Sequence, residues 1–290
     1  METMPGRLFV VATPLGNLED ISLRAIKTLR SVAVIAAEDT RRTGLLCRKY
    51  KIRTKQSSYY DYNEKKKTKL LLRMLQEGQD VALVSDAGTP GISDPGYPLI
   101  IAAIKENIPV IPIPGPSALT AALPLSGMSI NRFYFVGYLP RKKEGRKKEL
   151  QSLSSLKDTI VLFEAPHRLK AFLDDALAIL GNRNICLFRE MTKIYEEIIR
   201  GTISEVLELQ RQKRIRGELT LVVEGCKETS PYAGLTDDEL AHLLREEMDF
   251  QKISLQDALK ILARRYGVSK STLYRRIHRG KSPGRSDSSD

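Results

Sequence analysis

The chain has 290 residues and a mass of 32.6 kDa, which is enough for two domains and a small appendage. Forty-seven Lys and Arg against thirty-five Asp and Glu leave a formal net charge of +12, which favours nucleic acid or phosphorylated partners. No apolar run reaches the roughly 18 residues of a membrane span, and the N-terminus lacks a signal-peptide pattern, so we expect a cytoplasmic protein without a membrane partner.

Strand-like and helix-like segments alternate through the first half of the chain. Apolar runs predict strands over 7–12, 31–37, 80–85 and 108–113. Helical spacing predicts helices over 21–30, 64–77 and 98–105. This β-loop-α-β order predicts an α/β fold with a mostly parallel sheet covered on both faces.

The character of the sequence changes at 138–148, where Pro, Gly and six basic residues predict a linker. The alternation then resumes. Strands are predicted over 159–163, 184–189, 195–201 and 218–224, and helices over 166–180 and 204–210. We therefore expect two α/β domains, 1–138 and 139–228.

From Leu235 onward the pattern is wholly helical. Two helices, 254–264 and 270–279, flank a short turn with Gly267, an outline typical of a helix-turn-helix. Between Ala258 and Ser286 there are nine Lys or Arg and no Asp or Glu. Residues 235–280 are therefore a candidate RNA-binding domain, although a solvated basic end of a helical bundle remains an alternative. Residues 281–290 are predicted to be disordered.

Cysteine and histidine usage indicates neither a disulfide framework nor a metal site. The three cysteines, Cys47, Cys186 and Cys226, are isolated and odd in number. The three histidines lie far apart and have no metal-ligand spacing. We expect reduced thiols and no metal.

The most informative loop is 85–96, SDAGTPGISDPG, which follows a predicted buried strand. Glycine lets a backbone approach a ligand closely, and ligands of open α/β sheets collect at the carboxyl ends of strands. The loop matches neither GxxxxGK[ST] nor GxGxxG, which argues against ATP and dinucleotides. It therefore predicts a ligand held on backbone amides and carbonyls.

Five further polar loops also follow predicted strands. They are 13–20, 38–42, 114–118, 164–168 and 189–197. Each alone is compatible with an ordinary turn, but their shared position predicts one cleft between the two domains.

The motifs TPLGNLED, AEDTRR, SDAGTPGISDPG, IPGPSA, FEAPHR and REMTK occur in this order. Together they resemble the bacterial small-subunit rRNA cytidine 2′-O-methyltransferases of the tetrapyrrole-methylase superfamily, over about 7–225. Tyr195 departs from the histidine common after REMTK in that family. The resemblance implies two tetrapyrrole-methylase-type domains around a cleft, S-adenosylmethionine (SAM) as cofactor and a homodimer. It also implies 2′-O-methylation of a decoding-centre cytidine in the 16S rRNA of the small ribosomal subunit.

The resemblance also implies which residues hold SAM in the cleft. They are Pro14, Asp86, Ala87, Gly88, Ile92, Ser117, Ala118, Phe163, Leu219 and Thr220. Carbonyl groups and small side chains suit a sulfonium, because it is a cation without hydrogen-bond donors.

Methyl transfer to a ribose hydroxyl calls for a base, or for a cation that stabilises the developing alkoxide. The candidate bases are Glu38, Asp39, Glu164, His167 and Glu190. The candidate cations, which are also candidates for holding phosphates, are Arg41, Arg42, Arg168, Arg189 and Lys193. Pairing of each carboxylate with a neighbouring arginine is an equal expectation, so the sequence does not select the base.

Two other functions remain open: methylation of a small tetrapyrrole, and DNA binding by a non-enzymatic regulator through the tail helices. Basic clusters are spread over 48–55, 65–69, 141–148, 211–216 and 260–285. A porphyrin-like ring does not require such a distribution, whereas RNA does. Tyr59, Tyr60 and Tyr62 are candidates for stacking on bases. The sequence therefore favours an RNA substrate.

Overall fold

The computed structural model of the protein describes residues 4–227, 235–266 and 269–278. The chain forms two compact units, Met1–Cys226 and Lys227–Asp290. The first unit contains two five-stranded sheets. In the described part of the chain, no helix is long and apolar enough to cross a membrane.

The first sheet is entirely parallel, as predicted, with the strand order β3-β2-β4-β1-β5. Its strands are β1 (Leu8–Val11), β2 (Val34–Ala37), β3 (Lys55–Ser58), β4 (Val81–Val84) and β5 (Val110–Ile113). Its helices are α1 (Leu23–Ser31), α2 (Thr40–Lys49), α3 (Glu64–Gln76) and α4 (Tyr97–Lys105), whereas α5 (Ala118–Leu125) packs Ala122 and Leu123 on the second sheet. One apolar cluster packs α1 and α2 on one face, and another packs α3 and α4 on the opposite face.

The second sheet has the strand order β6-β7-β10-β8-β9. Its strands are β6 (Phe133–Tyr138), β7 (Thr159–Glu164), β8 (Asn184–Arg189), β9 (Glu197–Thr202) and β10 (Leu219–Val223). Its helices are α6 (Lys143–Leu153), α7 (Leu169–Leu180) and α8 (Ile203–Gln212). In this mixed sheet only β6 and β7 run parallel, because β10 inserts antiparallel between β7 and β8 and β9 pairs antiparallel with β8.

The predicted linker at 138–148 is also wrong, because the segment includes the end of β6 and the first half of α6. Arg146 is buried on α6, and its Nε donates to Oδ2 of buried Asp175 on α7 at 2.9 Å. The basic run is therefore partly internal, since one of its charges is neutralised by a neighbouring helix. The division at residue 138 stays a prediction, although β6 itself pairs with the second sheet.

The second unit contains α9 (Asp237–Gln251), α10 (Leu255–Tyr266) and α11 (Lys270–His278). Thr236 begins α9 with a capping box that Glu239 completes. Leucines from all three helices share one apolar core. The predicted turn residues 267–268 and the predicted disordered tail 281–290 lie outside the described residues.

Candidate active site

A cavity of about 380 Å³ lies between the two sheets. Leu15, Glu38 and Asp86 line it from the loops after β1, β2 and β4. Glu164, at the end of β7, and Leu219, at the start of antiparallel β10, line it from the second sheet. The cavity therefore occupies the position where α/β sheets usually bind ligands, and its size is typical of such sites.

The loop after β4 is fixed against the loop after β1 by a two-residue antiparallel bridge. The Thr13 amide donates to the Gly88 carbonyl at 2.8 Å, and the Gly88 amide donates to the Thr13 carbonyl at 2.9 Å. The Thr13 hydroxyl donates to the Ser85 carbonyl at 3.0 Å. Gly88 has φ +76°, a conformation that glycine adopts without the penalty of a Cβ.

Two carboxylates join the loops after β2 and β4. Oε2 of Glu38 accepts the Asp86 amide at 3.0 Å, and Oδ1 of Asp86 accepts the Asp39 amide at 3.0 Å. Nε of Arg42 lies 3.5 Å from Oδ2 of Asp86. Burial raises the pKa of both Glu38 and Asp86. These carboxylates are therefore structural acceptors as well as part of the cavity wall.

A third carboxylate, Asp94, lines the same side of the cavity. Burial, followed by the negative charge of Glu38, raises its pKa to about 7. A group with this pKa changes protonation near neutral pH, as general bases do. Sequence reasoning did not select Asp94, although it lies in the SDAGTPGISDPG loop.

Glu164 contributes a buried acceptor from the second sheet. Its Oε1 accepts the Ala165 amide at 2.8 Å and lies 3.1 Å from Nε of Arg168. Its Oε2 is buried and has no hydrogen-bond partner among the described residues. Burial raises the pKa of Glu164. An unsatisfied buried acceptor in a cavity wall is costly, so this oxygen is suited to accept a hydrogen bond from a ligand.

An apolar wall completes the cavity on the side of the second sheet. The rings of Phe163 and Tyr138 are 5.7 Å apart, and Phe135 packs edge-on against Phe163 at 5.2 Å. Leu219 and buried Thr220 continue this wall. The wall suits a flat or aliphatic part of a ligand.

Asp39 and Arg41 pair with each other away from the cavity. Asp39 begins α2, where it accepts the Arg41 amide at 2.8 Å, and its Oδ2 lies 2.7 Å from Nη2 of Arg41. The hydrogen bonds from Arg41 lower the pKa of Asp39 to about 2. The Arg41 side chain is 89% exposed. This arrangement is the carboxylate–arginine pairing that the sequence left open.

Glu190 and Lys193 support the cavity wall without lining it. Oε1 of Glu190 accepts the Glu218 amide at 2.8 Å and Nζ of Lys193 at 3.0 Å. Burial acts to raise the pKa of Glu190, but the Glu218 amide and the Lys193 ammonium outweigh it and lower that pKa. Lys193 also packs on Gly16, where a Cβ would lie 2.3 Å from its Cγ.

The other predicted residues lie around the cavity rather than in its lining. Pro14 and Gly88 are buried behind it, Ser117 begins α5, and Ile92 is 38% exposed. His167 is exposed. Arg168 donates from Nη2 to the Leu139 carbonyl at 2.6 Å, and Arg189 donates from Nε to the Arg216 carbonyl at 2.6 Å. Both arginine side chains therefore bind main-chain carbonyl groups.

The structure does bring a common set of predicted residues together in the lining. They are Glu38, Arg42, Asp86, Ala87, Ala118, Phe163, Glu164, Leu219 and Thr220. The lining residues that the sequence did not single out are Leu15, Asp94, Tyr138, Ala165, Pro166, Met191, Gly217 and Glu218. Most of these residues lie inside the six motifs. Selecting every residue of the motifs would therefore have identified them as candidates for the lining.

The cavity is acidic although the chain is basic. Five carboxylates line it: Glu38, Asp86, Asp94, Glu164 and Glu218. Arg42 is the one basic residue of that lining. No group of three or more His, Cys, Asp or Glu among the described residues is arranged to hold a metal ion. The electrostatics therefore favour an organic ligand that carries positive charge.

Comparison with known proteins gives a family match and several close relatives. Residues 7–207 match the model of the tetrapyrrole (corrin/porphyrin) methylases. A protein of Halalkalibacterium halodurans, called ribosomal RNA small subunit methyltransferase I, is 45% identical over 94% of this chain and 95% of its own length. A protein of the same name from Thermotoga maritima is 49% identical over 76% of this chain and 99% of its own length.

Solved structures share the fold at low sequence identity. A cobalt precorrin-4 methyltransferase aligns with a TM-score of 0.58 at 17% identity, over 75% of this chain and 94% of that chain. The uroporphyrin-III C-methyltransferase of Thermus thermophilus, complexed with S-adenosylhomocysteine, aligns with a TM-score of 0.57 at 19% identity, over 76% of this chain and 97% of that chain.

Proposed function

Because this chain belongs to the tetrapyrrole (corrin/porphyrin) methylases, in the group called ribosomal RNA small subunit methyltransferase I, we propose that it methylates 16S rRNA with SAM as methyl donor. The proposed target is the ribose 2′-hydroxyl of the decoding-centre cytidine at position 1402. The observation that carries the proposal is an acidic cavity, at the ligand-binding edge of both sheets, in a protein with a net charge of +12.

The residues of the cavity fit SAM. The unpartnered Oε2 of Glu164 offers an acceptor for an ammonium or hydroxyl group, and the other carboxylates favour the two cationic centres of SAM. Phe163, Leu219 and the small side chain of Ala87 provide apolar surface for the adenosine. When bound, SAM supplies a methyl group on a positively charged sulfur.

The protein's own part in the reaction is to position the acceptor ribose and to take its proton. Of the predicted bases, Glu38 and Glu164 border the cavity, and Asp94 joins them with a pKa near 7. A base that is partly ionised at neutral pH both accepts a proton and releases it afterwards. Asp39, His167 and Glu190 lie outside the lining, which favours the first three carboxylates for this role.

A tetrapyrrole substrate is the second candidate, because two structural neighbours are methyltransferases of such rings. Sequence similarity favours RNA, since the relatives at 45–49% identity are called ribosomal RNA methyltransferases. The net charge of +12 also favours an RNA substrate. A purely DNA-binding regulator is disfavoured, because it requires no cavity of this kind.

Labelled SAM with two competing acceptors tests the proposal. The purified chain is incubated with small subunits or 16S rRNA from a strain that lacks it, and separately with precursor tetrapyrroles. We expect label in RNA alone, and mass mapping after nuclease digestion should place one methyl group on the ribose of the decoding-centre cytidine. Label in the ring alone, or an unmodified ribose at that cytidine, would overturn the assignment.

Two further expectations accompany this function. Homodimerisation and a cytoplasmic location are proposed from the family resemblance. The helical unit is proposed to add contacts to RNA, because its described helices α10 and α11 carry several of the nine cations counted in the tail.

A further inference from the structure

An open groove of about 1110 Å³ runs along α3 at the edge of the first sheet. Five of its lining residues are cations, and four of these follow one another closely at the start of the helix. They are Lys65, Lys66, Lys67, Lys69 and Arg73. Residues 65, 69 and 73 repeat every four positions, so their side chains project from one face of α3.

The positive charge of this groove is not neutralised locally. Among the residues that the structure describes, none of these five cations pairs with a carboxylate. Glu64, the acidic residue of the same helix, instead accepts the Gly96 amide at 3.0 Å. Lys67 donates to the Ser57 hydroxyl at 2.9 Å, which leaves its charge uncompensated. Such a surface attracts a polyanion over several ångströms.

The groove also offers groups that suit nucleic acid beyond simple charge. Tyr60 lines it and is 42% exposed, whereas neighbouring Tyr62 is 98% exposed. The hydroxyl of Ser58 lies in the same wall, next to Asn63, whose amide accepts the Tyr60 amide and donates to the Ser58 carbonyl. Exposed tyrosines stack on unpaired bases, and small polar groups bind phosphate or ribose. Tyr59, by contrast, is buried against the sheet and unavailable for stacking.

A hydrogen bond links the helix that carries the groove to a loop of the acidic cavity. The hydrogen bond from Gly96 to Glu64 joins the start of α3 to the loop that carries Asp94. Asp61, in the turn before α3, is close enough to raise the pKa of both Glu38 and Asp94. A strand bound along α3 would therefore lead toward the site proposed for methyl transfer.

We propose that the α3 groove binds the sugar-phosphate backbone of single-stranded substrate RNA next to the nucleotide to be methylated. This inference rests on the proposed function and names the surface that delivers the substrate. Lys65, Lys69 and Arg73 contact phosphates, and Tyr60 stacks on a base. The groove acts on RNA affinity and leaves the binding of SAM unchanged, because none of its cations lines the cavity.

The test compares two charge reversals with the same change in net charge. The K65E/K69E variant alters the groove. The control R24E/K27E alters exposed positions on α1, which packs on the opposite face of the first sheet. Filter binding of a 16S rRNA fragment across several salt concentrations is measured for the native chain and both variants. Calorimetry with SAM verifies that each variant is folded, and K65Q/K69Q replaces the reversal if it is not.

We expect K65E/K69E to lose roughly tenfold or more in RNA affinity, with a salt slope lower by about 1.4–1.8, the value for two lost phosphate contacts. SAM affinity should not change, and R24E/K27E should show a much smaller loss. Equal losses in the two variants would overturn the groove while leaving methylation by the native chain intact. Absence of RNA binding and methylation in the native chain would instead overturn the proposed function itself.

Discussion

The two carboxylates Glu164 and Asp94 show how neighbouring side chains in one cavity acquire different properties. Glu164 has one oxygen satisfied by the Ala165 amide and one without a partner. Asp94 is only partly buried, and it faces the negative charge of Glu38. The first is therefore suited to holding a donor group, and the second to exchanging a proton.

Glu164→Gln should weaken SAM binding. The substitution preserves shape but removes the charge that faces the cavity, and a charge-assisted hydrogen bond contributes about 1.5–3 kcal/mol, or roughly tenfold or more in affinity. Isothermal titration with SAM measures the change. Glu208→Gln is the matched control, because Glu208 is more than half exposed on α8 and should leave affinity unaltered. Equal affinity in both variants would contradict a ligand-binding role for Glu164.

Asp94→Asn should stabilise the fold at neutral and alkaline pH. The folded-state pKa of Asp94 lies near 7 instead of 3.8, so the native chain retains a proton that the unfolded chain releases between these values. Stability is therefore lost as the pH rises through this window, and asparagine avoids the loss. After allowance for solvent screening, the gain should be about 2 kcal/mol at pH 8 and close to zero at pH 4.

Urea unfolding of the native and D94N chains at both pH values measures this difference. Asp20→Asn provides a control at an exposed position of the same unit. A stability difference that does not depend on pH would show that Asp94 ionises in the ordinary range.

At the scale of single residues, the sequence located the carboxylates but did not assign their tasks. Glu38, Asp39 and Glu164 all follow strands and all precede an arginine by four or fewer positions. Only the fold determines that Asp39 pairs with its arginine outside the lining, whereas Glu164 pairs with Arg168 and lines the cavity at once. Asp94 was missed for a related reason: its raised pKa depends on burial and on the charge of Glu38, which is distant in sequence.

At the scale of elements, the glycines next to the cavity set the positions of its walls. Gly217 precedes β10 with φ +101°, and a Cβ there would lie 2.5 Å from Cγ of Glu190. Glu190 cannot easily move away, because the Glu218 amide and Lys193 both bind its carboxylate. The loop before β10 and the REMTK loop are therefore packed as one piece.

Gly217→Ala should destabilise the first unit by about 3 kcal/mol, through backbone strain added to the collision with Glu190. Gly181→Ala isolates the strain, because Gly181 has φ +79° with nothing within 4 Å of the added methyl group. That control should cost about 1 kcal/mol. Denaturant unfolding measures the free energy of unfolding of both variants. Equal losses of stability would mean that Glu190 moves away from the added methyl group at no cost.

Central strands that are buried on both sides are the elements that an apolar run predicts most directly. Val34–Ala37 and Val81–Val84 are short apolar runs with every residue buried, and apolarity alone reveals them. Lys55–Ser58 is an edge strand of polar residues, so its pairing with β2 has no signal in hydropathy. The sequence did not predict helix α6, because a charged residue usually indicates an exposed position. Arg146 is instead buried, where it pairs with Asp175.

At the scale of the whole molecule, the two compact units have separate cores. The Thermotoga maritima relative is matched over 99% of its length by about three quarters of this chain. The first unit, Met1–Cys226, makes up a similar share of this chain. The acidic cavity is lined only by residues of this unit, so the helical unit adds nothing to its lining.

A chain truncated after Lys227 should therefore bind SAM with unchanged affinity. Its affinity for 16S rRNA should fall, and its salt slope should become shallower, because cations of the helical unit are lost. Calorimetry with SAM and RNA binding at several salt concentrations test the two statements. Equal RNA affinity with and without the helical unit would leave that unit a structural role only, whereas a loss of SAM binding would contradict the independence of the first unit.

The fold class could be predicted at this scale, whereas the topology of the second sheet could not. Alternating strands and helices do predict α/β layers, but β10 reaches the centre of its sheet after two strands that lie outside it. The direction of a central strand depends on where the chain returns. No local pattern in Leu219–Val223 distinguishes a parallel from an antiparallel strand, since the whole strand is buried in either case.

Loops that belong to the two sheets touch each other beside the cavity. The Asn17 amide donates to the Thr192 hydroxyl at 3.0 Å, and Ser93 lies so near Gly137 that a Cβ there would be 2.9 Å from its Oγ. These contacts add to the apolar packing of α5 on the second sheet, so several separate contacts hold the two sheets in place around the cavity. A substitution at one contact should therefore leave the spacing of the cavity walls largely unchanged.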